Sequence, residues 1–370
     1  MSTSSPFEVA AGPAMETAAA AHMPARDRVP RVLVIRRRYL GDIVLLGSVL
    51  KNLRLHWPAA WITVLTEAAY AGVLRLMPEV DAELTVPRHA REWLGFARKL
   101  RRVGFTHVLD LDNANKTAVI TRLTGAPLRA TLQREYLPFR HGWTYTHTAK
   151  ITDAFYNSHH ITETYLALPA AVGVPIRSRE VRLTPRPQDI AGAQKLIARG
   201  GNKVLVHPGS RSVSRVWPVE RFADVCDRLQ DNLGAQVFLT AGPGEQSLVK
   251  QIQAQTRTHV VVLDPPRDVG QLAALLGQFD AFLCHDSGPM HVAAAVGTPV
   301  VALFGSQNAT IWRPLGPRHT ILQTPLPCAC IGSAAPVPCK SSDSYRSYCV
   351  RKLAADDVFA AITRTLATGR

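Results

Sequence analysis

The chain has 370 residues, of which 46% are hydrophobic, and a formal net charge of +15. This length suits two domains of ordinary size, and the apolar fraction is that of a globular protein. The longest nearly apolar run, residues 292–304, is too short to span a bilayer, which excludes an apparent transmembrane segment. The positive charge favours an anionic partner but does not choose among nucleic acid, an anionic membrane surface and a phosphorylated substrate.

Residues 1–29 are rich in Ala, Ser and Pro and show no hydrophobic periodicity. No basic start precedes a continuous apolar region, so we expect a disordered tail and not a signal peptide. We therefore expect a cytosolic protein whose six cysteines are reduced.

The first ordered element is a continuous apolar run, Val32 to Ile35, which predicts a buried strand. A basic loop follows, and Asp42 then opens a helix with apolar residues at helical spacing. Asp is a favoured N-cap, so the sequence alone predicts that Asp42 caps this helix.

Strands and helices alternate through the rest of the first half. Arg91 to Val103 predicts a basic amphipathic helix, which presents either a solvated face or a contact with an anionic membrane or phosphorylated acceptor. A strand from Thr106 to Leu111 follows, and we interpret Asp110 and Asp112 as capping and turn residues. The Pro-containing segment 175–187 is the best candidate for a domain linker.

The second half repeats the alternation at intervals of about thirty residues, which predicts a mostly parallel sheet with helices on both faces. The loop 207–212 holds a glycine that lets the backbone approach a ligand closely. Ser210 offers a hydroxyl there, while Arg211 and Arg215 offer fixed positive charge.

The stretch 281–305 reads as strand, turn, helix and strand. Asp286, Ser287 and Gly288 are typical cap and turn residues. A helix N-terminus at the carboxyl end of a parallel strand is where α/β proteins bind phosphates. Ser287 and His291 are polar groups that an apolar core does not need.

These motifs resemble those of glycosyltransferase family 9, the bacterial heptosyltransferases of lipopolysaccharide core assembly. The matching segments are Leu-Gly-Asp-Ile-Val-Leu at 40–45, His-Pro-Gly-Ser-Arg at 207–211, Trp-Pro-Val-Glu-Arg-Phe at 217–222, Asp-Ser-Gly-Pro-Met-His at 286–291 and Gly-Thr-Pro-Val-Val-Ala-Leu-Phe-Gly at 297–305. The resemblance covers Val32 to Thr320 and the last helix. One position departs from it, because Arg215 stands where the family usually has Lys.

The resemblance implies an α/β protein of the GT-B fold, with two Rossmann-like domains whose parallel sheets face a central cleft. Residues 30–180 would form the acceptor-binding domain and residues 186–350 the nucleotide-sugar-binding domain. The family also implies that the C-terminal helix, within 351–370, packs back on the N-terminal domain.

The resemblance further implies an inverting, metal-independent transfer from ADP-heptose, with Asp42 as the general base. Arg36, Arg38 and Tyr39 would bind the acceptor. The donor would be bound by residues of the second domain: Ser210, Arg211, Arg215, Glu245, Asp286, Ser287, Gly288 and His291. No metal or other cofactor is expected. The acceptor would be a lipid-linked core oligosaccharide, met by a monomeric protein peripheral to the inner face of the cytoplasmic membrane.

Two other functions stay open at this point. The same fold with different acid and base groups would suit a sugar-nucleotide epimerase, and the charge alone would suit a non-enzymatic protein that binds nucleic acid or membranes. The cluster Cys328, Cys330, Cys339 and Cys349 lacks the spacing of a zinc site, so a reduced structural loop is the preferred interpretation over a bound metal or disulfides.

Overall fold

The computed structural model describes residues 29–139, 141–197, 200–210, 216–305, 307–324, 350 and 352–368. The chain divides into two compact units, residues 1–181 and 182–370. This division falls within the Pro-containing segment 175–187.

Six parallel strands form the sheet of the first unit: β1 (Arg31–Ile35), β2 (Trp61–Thr66), β3 (Ala82–Thr85), β4 (His107–Asp110), β5 (Leu128–Arg134) and β6 (His147–Ile151). Their order is β3-β2-β1-β4-β5-β6. The central strand β1 is apolar and fully buried from Val32 onward, as a strand covered on both faces must be.

The helices of this unit are α1 (Leu40–Leu45), α2 (Gly47–His56), α3 (Trp93–Val103), α4 (Asn115–Thr124), α5 (Asp153–Ser158) and α6 (Ile161–Ala170). Three 3₁₀ segments accompany them, at Ala68–Leu76, Ala90–Glu92 and Gly142–Thr144. On one side of the sheet, Phe96 and Leu100 of α3 and Ile120 of α4 share a core with Leu33 and Ile35 of β1.

The connections from strand to strand change direction beside β1. The chain runs from β1 to β2 and β3 on one side and returns to β4 on the other. The loops that follow β1 and β4 therefore lie at the topological switch point, where open α/β sheets bind their ligands.

The second unit has a second parallel sheet built from β7 (Lys203–His207), β8 (Gln236–Leu239), β9 (Val261–Val262), β10 (Ala281–His285), β11 (Val300–Phe304) and β12 (Thr320–Gln323). The order is β12-β11-β10-β7-β8-β9, so the switch point lies between β7 and β10. The helices are α7 (Pro187–Leu196), α8 (Val219–Leu233), α9 (Gln246–Gln255), α10 (Val269–Leu276), α11 (Gly288–Ala295), α12 (Ala309–Trp312) and α13 (Ala355–Thr368). The two sheets confirm the predicted α/β class.

The position of the last helix corrects an expectation. We expected it to pack on the N-terminal domain, but Val358, Ala361, Ile362 and Leu366 of α13 lie in the core of the second unit. The spacing of these residues forms one apolar stripe, which is covered by the second sheet and α8. Arg228 of α8 reinforces the packing with an ion pair to Asp356 at 2.7 Å.

Within the described ranges, every helix is too short or too polar to cross a bilayer.

Candidate active site

Asp42 lies in the first turn of α1, directly after the loop that follows β1. Its position differs from the predicted one, because Tyr39 is the N-cap and Asp42 is the third helical residue. The Asp42 Oδ2 atom accepts the Tyr39 backbone N–H at 3.0 Å. The carboxylate therefore caps the helix from inside the first turn, as the acidic member of a capping box does.

The other oxygen of Asp42 has two donors. The Tyr165 hydroxyl donates to Oδ1 at 2.7 Å, and the Arg36 guanidinium forms an ion pair with the same atom. Asp42 is only 8% exposed. Burial acts to raise its pKa, but the charge of Arg36 and the three donated hydrogen bonds outweigh burial, so the pKa is lowered. Asp42 is consequently a buried carboxylate that stays ionised.

Arg36 lies between two carboxylates. Besides Asp42, it contacts Asp112 Oδ1 at 3.2 Å and donates to the Leu111 carbonyl at 3.1 Å. Its side chain is only 19% exposed. Arg36 therefore neutralises and orients the Asp42 carboxylate, and its predicted role in acceptor binding stays a prediction.

Asp112 fastens the basic loop to the end of β4. Its Oδ2 accepts both the backbone N–H of Arg37 at 3.0 Å and the Arg37 Nε–H at 2.9 Å. Asp112 was expected to be a turn residue, and it also holds Arg37 of the basic loop. Of the other predicted acceptor residues, Arg38 and Tyr39 are exposed on the same loop and remain accessible to a ligand.

A second buried carboxylate, Asp110, holds the backbone of Asp112. It accepts the backbone N–H of Asp112 at 3.0 Å and the Tyr145 hydroxyl at 2.7 Å. Full burial, reinforced by the charge of Asp112, raises the pKa of Asp110 to about 6. Tyr145 lies in the segment 142–160, which is rich in Tyr, His and Thr.

Sequence reasoning missed Tyr165, and no local signal could have revealed it. Tyr165 lies on α6, 123 residues from Asp42, and is fully covered by the fold. Its spacing in the helix is that of an ordinary core residue. Only the fold brings its hydroxyl to the carboxylate.

In the second unit, the loops after β7 and β8 meet through Glu245. The Glu245 Oε2 atom accepts the Gly242 N–H at 2.7 Å and lies 3.2 Å from His207 Nε2. Burial acts to raise the pKa of Glu245, but the contacts with His207 and Gly242 lower it overall. Gly209 is required here, since a methyl group at its Cβ position would overlap the Glu245 carboxylate.

His285 joins the end of β10 to the same loop. Its Nε2 accepts the Trp217 backbone N–H at 2.9 Å, and its Nδ1 lies 3.3 Å from the Gly209 carbonyl. Both contacts together require a neutral ring protonated at Nδ1. Burial lowers the pKa of His285 to about 4, consistent with that neutral form.

The turn after β10 leads into α11. Asp286 is partly exposed, Ser287 is the N-cap, Gly288 is the first helical residue, and His291 is buried in the first turn. The predicted capping by the Ser287 side chain is not observed, since the N-cap makes no side-chain hydrogen bond. The positive dipole end of α11 and the Ser287 hydroxyl are thus available to another partner.

Three buried polar atoms converge at the carboxyl edge of the second sheet. Within the part of the chain that the structure describes, His207 Nδ1, Thr240 Oγ1 and Ser287 Oγ have no hydrogen-bond partner. They follow or end β7, β8 and β10, which are neighbouring strands at the switch point. Buried polar groups are almost always satisfied, so this edge is suited to a polar ligand that supplies the missing bonds.

Several predicted features lie outside the described residues. These include the phosphate-facing Arg211 and Arg215 and the cluster of Cys328, Cys330, Cys339 and Cys349. Ser210, the last described residue of its loop, is partly exposed. Among the described residues, no group of three or more His, Cys, Asp and Glu side chains is arranged to hold a metal ion.

Comparison with known proteins identifies relatives of similar size. Lipopolysaccharide heptosyltransferase 3 of Escherichia coli strain K12 is 28% identical over 293 residues, covering 75% of this chain and 83% of the relative.

Two solved structures share the fold. A glycosyl transferase of family 9 from Veillonella parvula superposes with a TM-score of 0.77 at 22% identity, covering 92% of this chain and 98% of the other. The E. coli heptosyltransferase WaaC with ADP gives 0.70 at 18% identity, covering 90% and 99%. These relatives confirm the GT-B fold, while the predicted cleft between the units stays a prediction.

The model of one family, glycosyltransferase family 9 (heptosyltransferase), matches residues 93–335. This match spans more than half of the chain and contains the turns after β7, β8 and β10 described above. The chain therefore belongs to glycosyltransferase family 9, the heptosyltransferases.

Proposed function

We propose that the protein is an inverting heptosyltransferase that moves heptose from ADP-heptose to a lipid-linked lipopolysaccharide core acceptor. The observation that carries the proposal is the buried, ionised carboxylate of Asp42 at the switch point of the first sheet. The family supports the reaction class, and the names of the relatives support the donor and the acceptor.

In this proposal, Asp42 removes the proton from the acceptor hydroxyl as its oxygen attacks the anomeric carbon of the donor. The bond between that carbon and the diphosphate oxygen breaks in the same step, so the anomeric configuration inverts. Arg36 and Tyr165 hold the Asp42 oxygens at a fixed orientation while keeping the carboxylate ionised. Fixed orientation of the base compensates for its lowered proton affinity.

The second unit binds the donor. The leaving diphosphate takes its stabilisation from the N-terminus of α11 at Gly288, the Ser210 hydroxyl and, by resemblance, Arg211 and Arg215. These groups replace a metal ion in the proposed mechanism.

The remaining donor contacts involve sugar hydroxyls. In this proposal, Glu245 uses Oε2 for Gly242 and His207 and Oε1 to accept a ribose hydroxyl. Asp286 and His291 contact the heptose. The buried hydroxyls of Ser287 and Thr240 and the Nδ1 of His207 gain partners when the nucleotide binds.

The acceptor contacts the exposed side chains of Arg38 and Tyr39 beside Asp42. The acceptor's phosphates and carboxylates suit a chain of net charge +15. Because the acceptor is lipid-linked, we propose that the protein works as a monomer at the inner face of the cytoplasmic membrane.

The test is a reaction of the purified protein with ADP-heptose and core-truncated lipopolysaccharide. We expect the acceptor mass to rise by one heptose, with release of ADP and an inverted anomeric centre by NMR. Consumption of ADP-heptose without any acceptor, giving an isomeric sugar nucleotide, would instead establish an epimerase. Absence of both reactions across heptose-containing and heptose-free cores would refute the proposed transfer.

A further inference from the structure

Two neighbouring helices of the first unit present cations and apolar side chains to the outside. On α3, the exposed residues Leu94, Arg98, Arg101 and Arg102 follow one another at helical spacing, opposite the buried Phe96 and Leu100. On α4, one face at helical spacing is likewise exposed and consists of Lys116, Val119 and Arg122. Since both helices cover the same side of the sheet, these residues point away from one shared core.

The exposed Trp143 adjoins this surface. The segment Gly142–Thr144 packs against α4, and His141 contacts Asn115 at the start of α4 at 2.8 Å. The same end of α4 reaches α3, because Lys116 Nζ lies 5.4 Å from the centroid of the Trp93 ring. We define the basic face as Leu94, Arg98, Arg101, Arg102, Lys116, Val119, Arg122 and Trp143.

The apolar members of the basic face are conspicuously exposed. Trp143 is 74% exposed, more than any other large hydrophobic side chain in the described chain, and Leu94 is 62% exposed. Val119 on the neighbouring helix is 54% exposed. Single exposed apolar residues are ordinary, but these three lie on adjoining elements among cations.

The cations of the basic face are not neutralised within the described chain. Arg98, Arg101, Arg102, Lys116 and Arg122 form none of the ion pairs recorded among the described residues. The nearby Glu92 is engaged by the backbone N–H groups of Arg88 and His89. The face therefore concentrates positive charge around exposed apolar groups.

We propose that the basic face docks the protein on an anionic lipid surface. Basic side chains beside Leu and Trp form the combination that binds the headgroup region, where Trp favours the interface and each cation is attracted to anionic lipid. The inference rests on the proposed function, because a lipid-linked acceptor brings the enzyme to such a surface. It goes further by naming the residues that make the contact, which lie outside the predicted donor and acceptor sites.

The test measures binding of the full-length protein to vesicles by co-sedimentation. One set of vesicles contains phosphatidylcholine and phosphatidylglycerol, and the other contains phosphatidylcholine alone. We expect the wild-type protein to bind the anionic vesicles and not the neutral ones. The variant R98E/R101E/R102E should bind the anionic vesicles on the order of 100-fold more weakly, given the contribution of each cation near an anionic surface.

The matched control is K195E/K250E/R364E, which changes the net charge equally on exposed helical positions of the second unit. We expect it to keep most of the vesicle binding, so equal losses in the two variants would overturn the inference in favour of a diffuse charge effect. A third variant, L94S/W143S, should keep the salt-sensitive part of the binding and lose the part that persists in high salt. Unchanged binding in R98E/R101E/R102E would overturn the proposal outright.

Two further measurements distinguish lipid docking from a loss of folding and from nucleic-acid binding. ADP affinity by calorimetry should be the same in all variants, which verifies their fold and tests the donor site independently of the lipid contact. Absence of ADP binding in the wild type would refute the proposed function while leaving vesicle docking intact. Tighter binding of duplex DNA than of anionic vesicles, abolished by R98E/R101E/R102E, would show that the basic face serves nucleic acid and would overturn the lipid assignment.

Discussion

At the scale of single residues, Asp42 combines two properties that oppose each other. Its lowered pKa keeps the carboxylate ionised at physiological pH, but the hydrogen bonds that lower the pKa also reduce its affinity for a proton, which a general base needs. The bonds to Arg36 and Tyr165 thus fix the orientation of the Asp42 carboxylate and make it a weaker base. We expect the balance to favour orientation, because a misdirected base contributes little.

The variant Asp42→Asn tests the role of the carboxylate. Asn retains an oxygen for Tyr165 but cannot accept a proton from the acceptor, so turnover should fall by roughly 10²–10⁴. ADP affinity should persist, because the proposed donor contacts belong to the second unit. The fold should lose about 1–3 kcal/mol, since Arg36 loses a charged partner and keeps Asp112.

Glu67→Gln is the matched control for this variant. It removes one negative charge from a carboxylate that pairs with Arg37 and Arg38 at the surface, at 3.5 Å from each. Turnover should change little in this control. An Asp42→Asn enzyme that works as fast as Glu67→Gln would show that Asp42 is a structural cap and that the base lies elsewhere.

The variant Tyr165→Phe tests positioning separately from chemistry. Its hydroxyl helps to lower the pKa of Asp42, so removing it should move the acidic limb of the kcat/KM profile to higher pH. Turnover at the plateau should fall on the order of tenfold, the value of one hydrogen bond to a charged group. Tyr156→Phe changes a nearby buried tyrosine that donates no hydrogen bond to Asp42, so it should leave the limb in place. Identical shifts in both variants would contradict the positioning role.

At the scale of elements, Gly209 determines how closely the loops after β7 and β8 approach. Gly209→Ala should displace the Glu245 carboxylate from Gly242 and His207, because the added methyl overlaps it. We expect ADP affinity to fall about tenfold, as a contact to a charged group is disturbed. Gly192→Ala on α7, where nothing lies near the added methyl, should leave ADP affinity unchanged and slightly raise Tm. Equal ADP affinities in the two variants would remove Glu245 from the donor site.

His285 connects β10 to the same loop and gives this unit a defined pH dependence. Its pKa is about 4 in the fold against 6.5 for an ordinary histidine, so the unfolded chain binds more protons between these values. Stability should therefore decrease as pH falls through this window, by about 1.4 kcal/mol per pH unit from this residue.

Burial also lowers the pKa of His107, to about 4, and raises that of Asp110. The comparison of wild type with His285→Gln isolates the contribution of His285, because these other groups are present in both proteins. Denaturant unfolding between pH 7 and pH 4 should give a shallower decline in the variant. Parallel declines would show that His285 does not stay neutral in the fold.

Sequence reasoning located elements better than contacts. The apolar run 32–35 and the βαβ spacing predicted both sheets, because burial on two faces leaves a clear pattern in parallel strands. The final helix was assigned to the first unit on the basis of the resemblance, but it packs in the core of the second unit. Its apolar stripe shows that the helix needs a core and does not show which core it joins.

The site shows the same limit. Asp42, Ser287 and Glu245 could be proposed from the sequence because they lie in short motifs beside strand ends. The contacts of Tyr165 and Asp112 and the burial of Thr240 could not be predicted, because they depend on packing between distant segments. Sequence also does not show that Asp42 and Asp112 neutralise Arg36, whose predicted contact with the acceptor stays a prediction.

At the scale of the whole molecule, the proposed mechanism uses no metal ion. Transfer in the presence of EDTA should therefore proceed at close to the untreated rate, since Arg211, Arg215 and the N-terminus of α11 are proposed to stabilise the diphosphate. The assay follows ADP release before and after chelation, and again after adding back single divalent ions. Activity that disappears with EDTA and returns with one particular ion would contradict this part of the mechanism.

The placement of α13 in the core of the second unit has a consequence for how such chains can diversify. Because α13 packs in the core of the second unit, each unit is one continuous length of chain, and a single junction near residue 181 separates them. One genetic crossover at that junction exchanges a complete half between relatives without dividing either hydrophobic core. On the proposed division of labour, such an exchange transfers acceptor choice and donor choice as separate, intact modules.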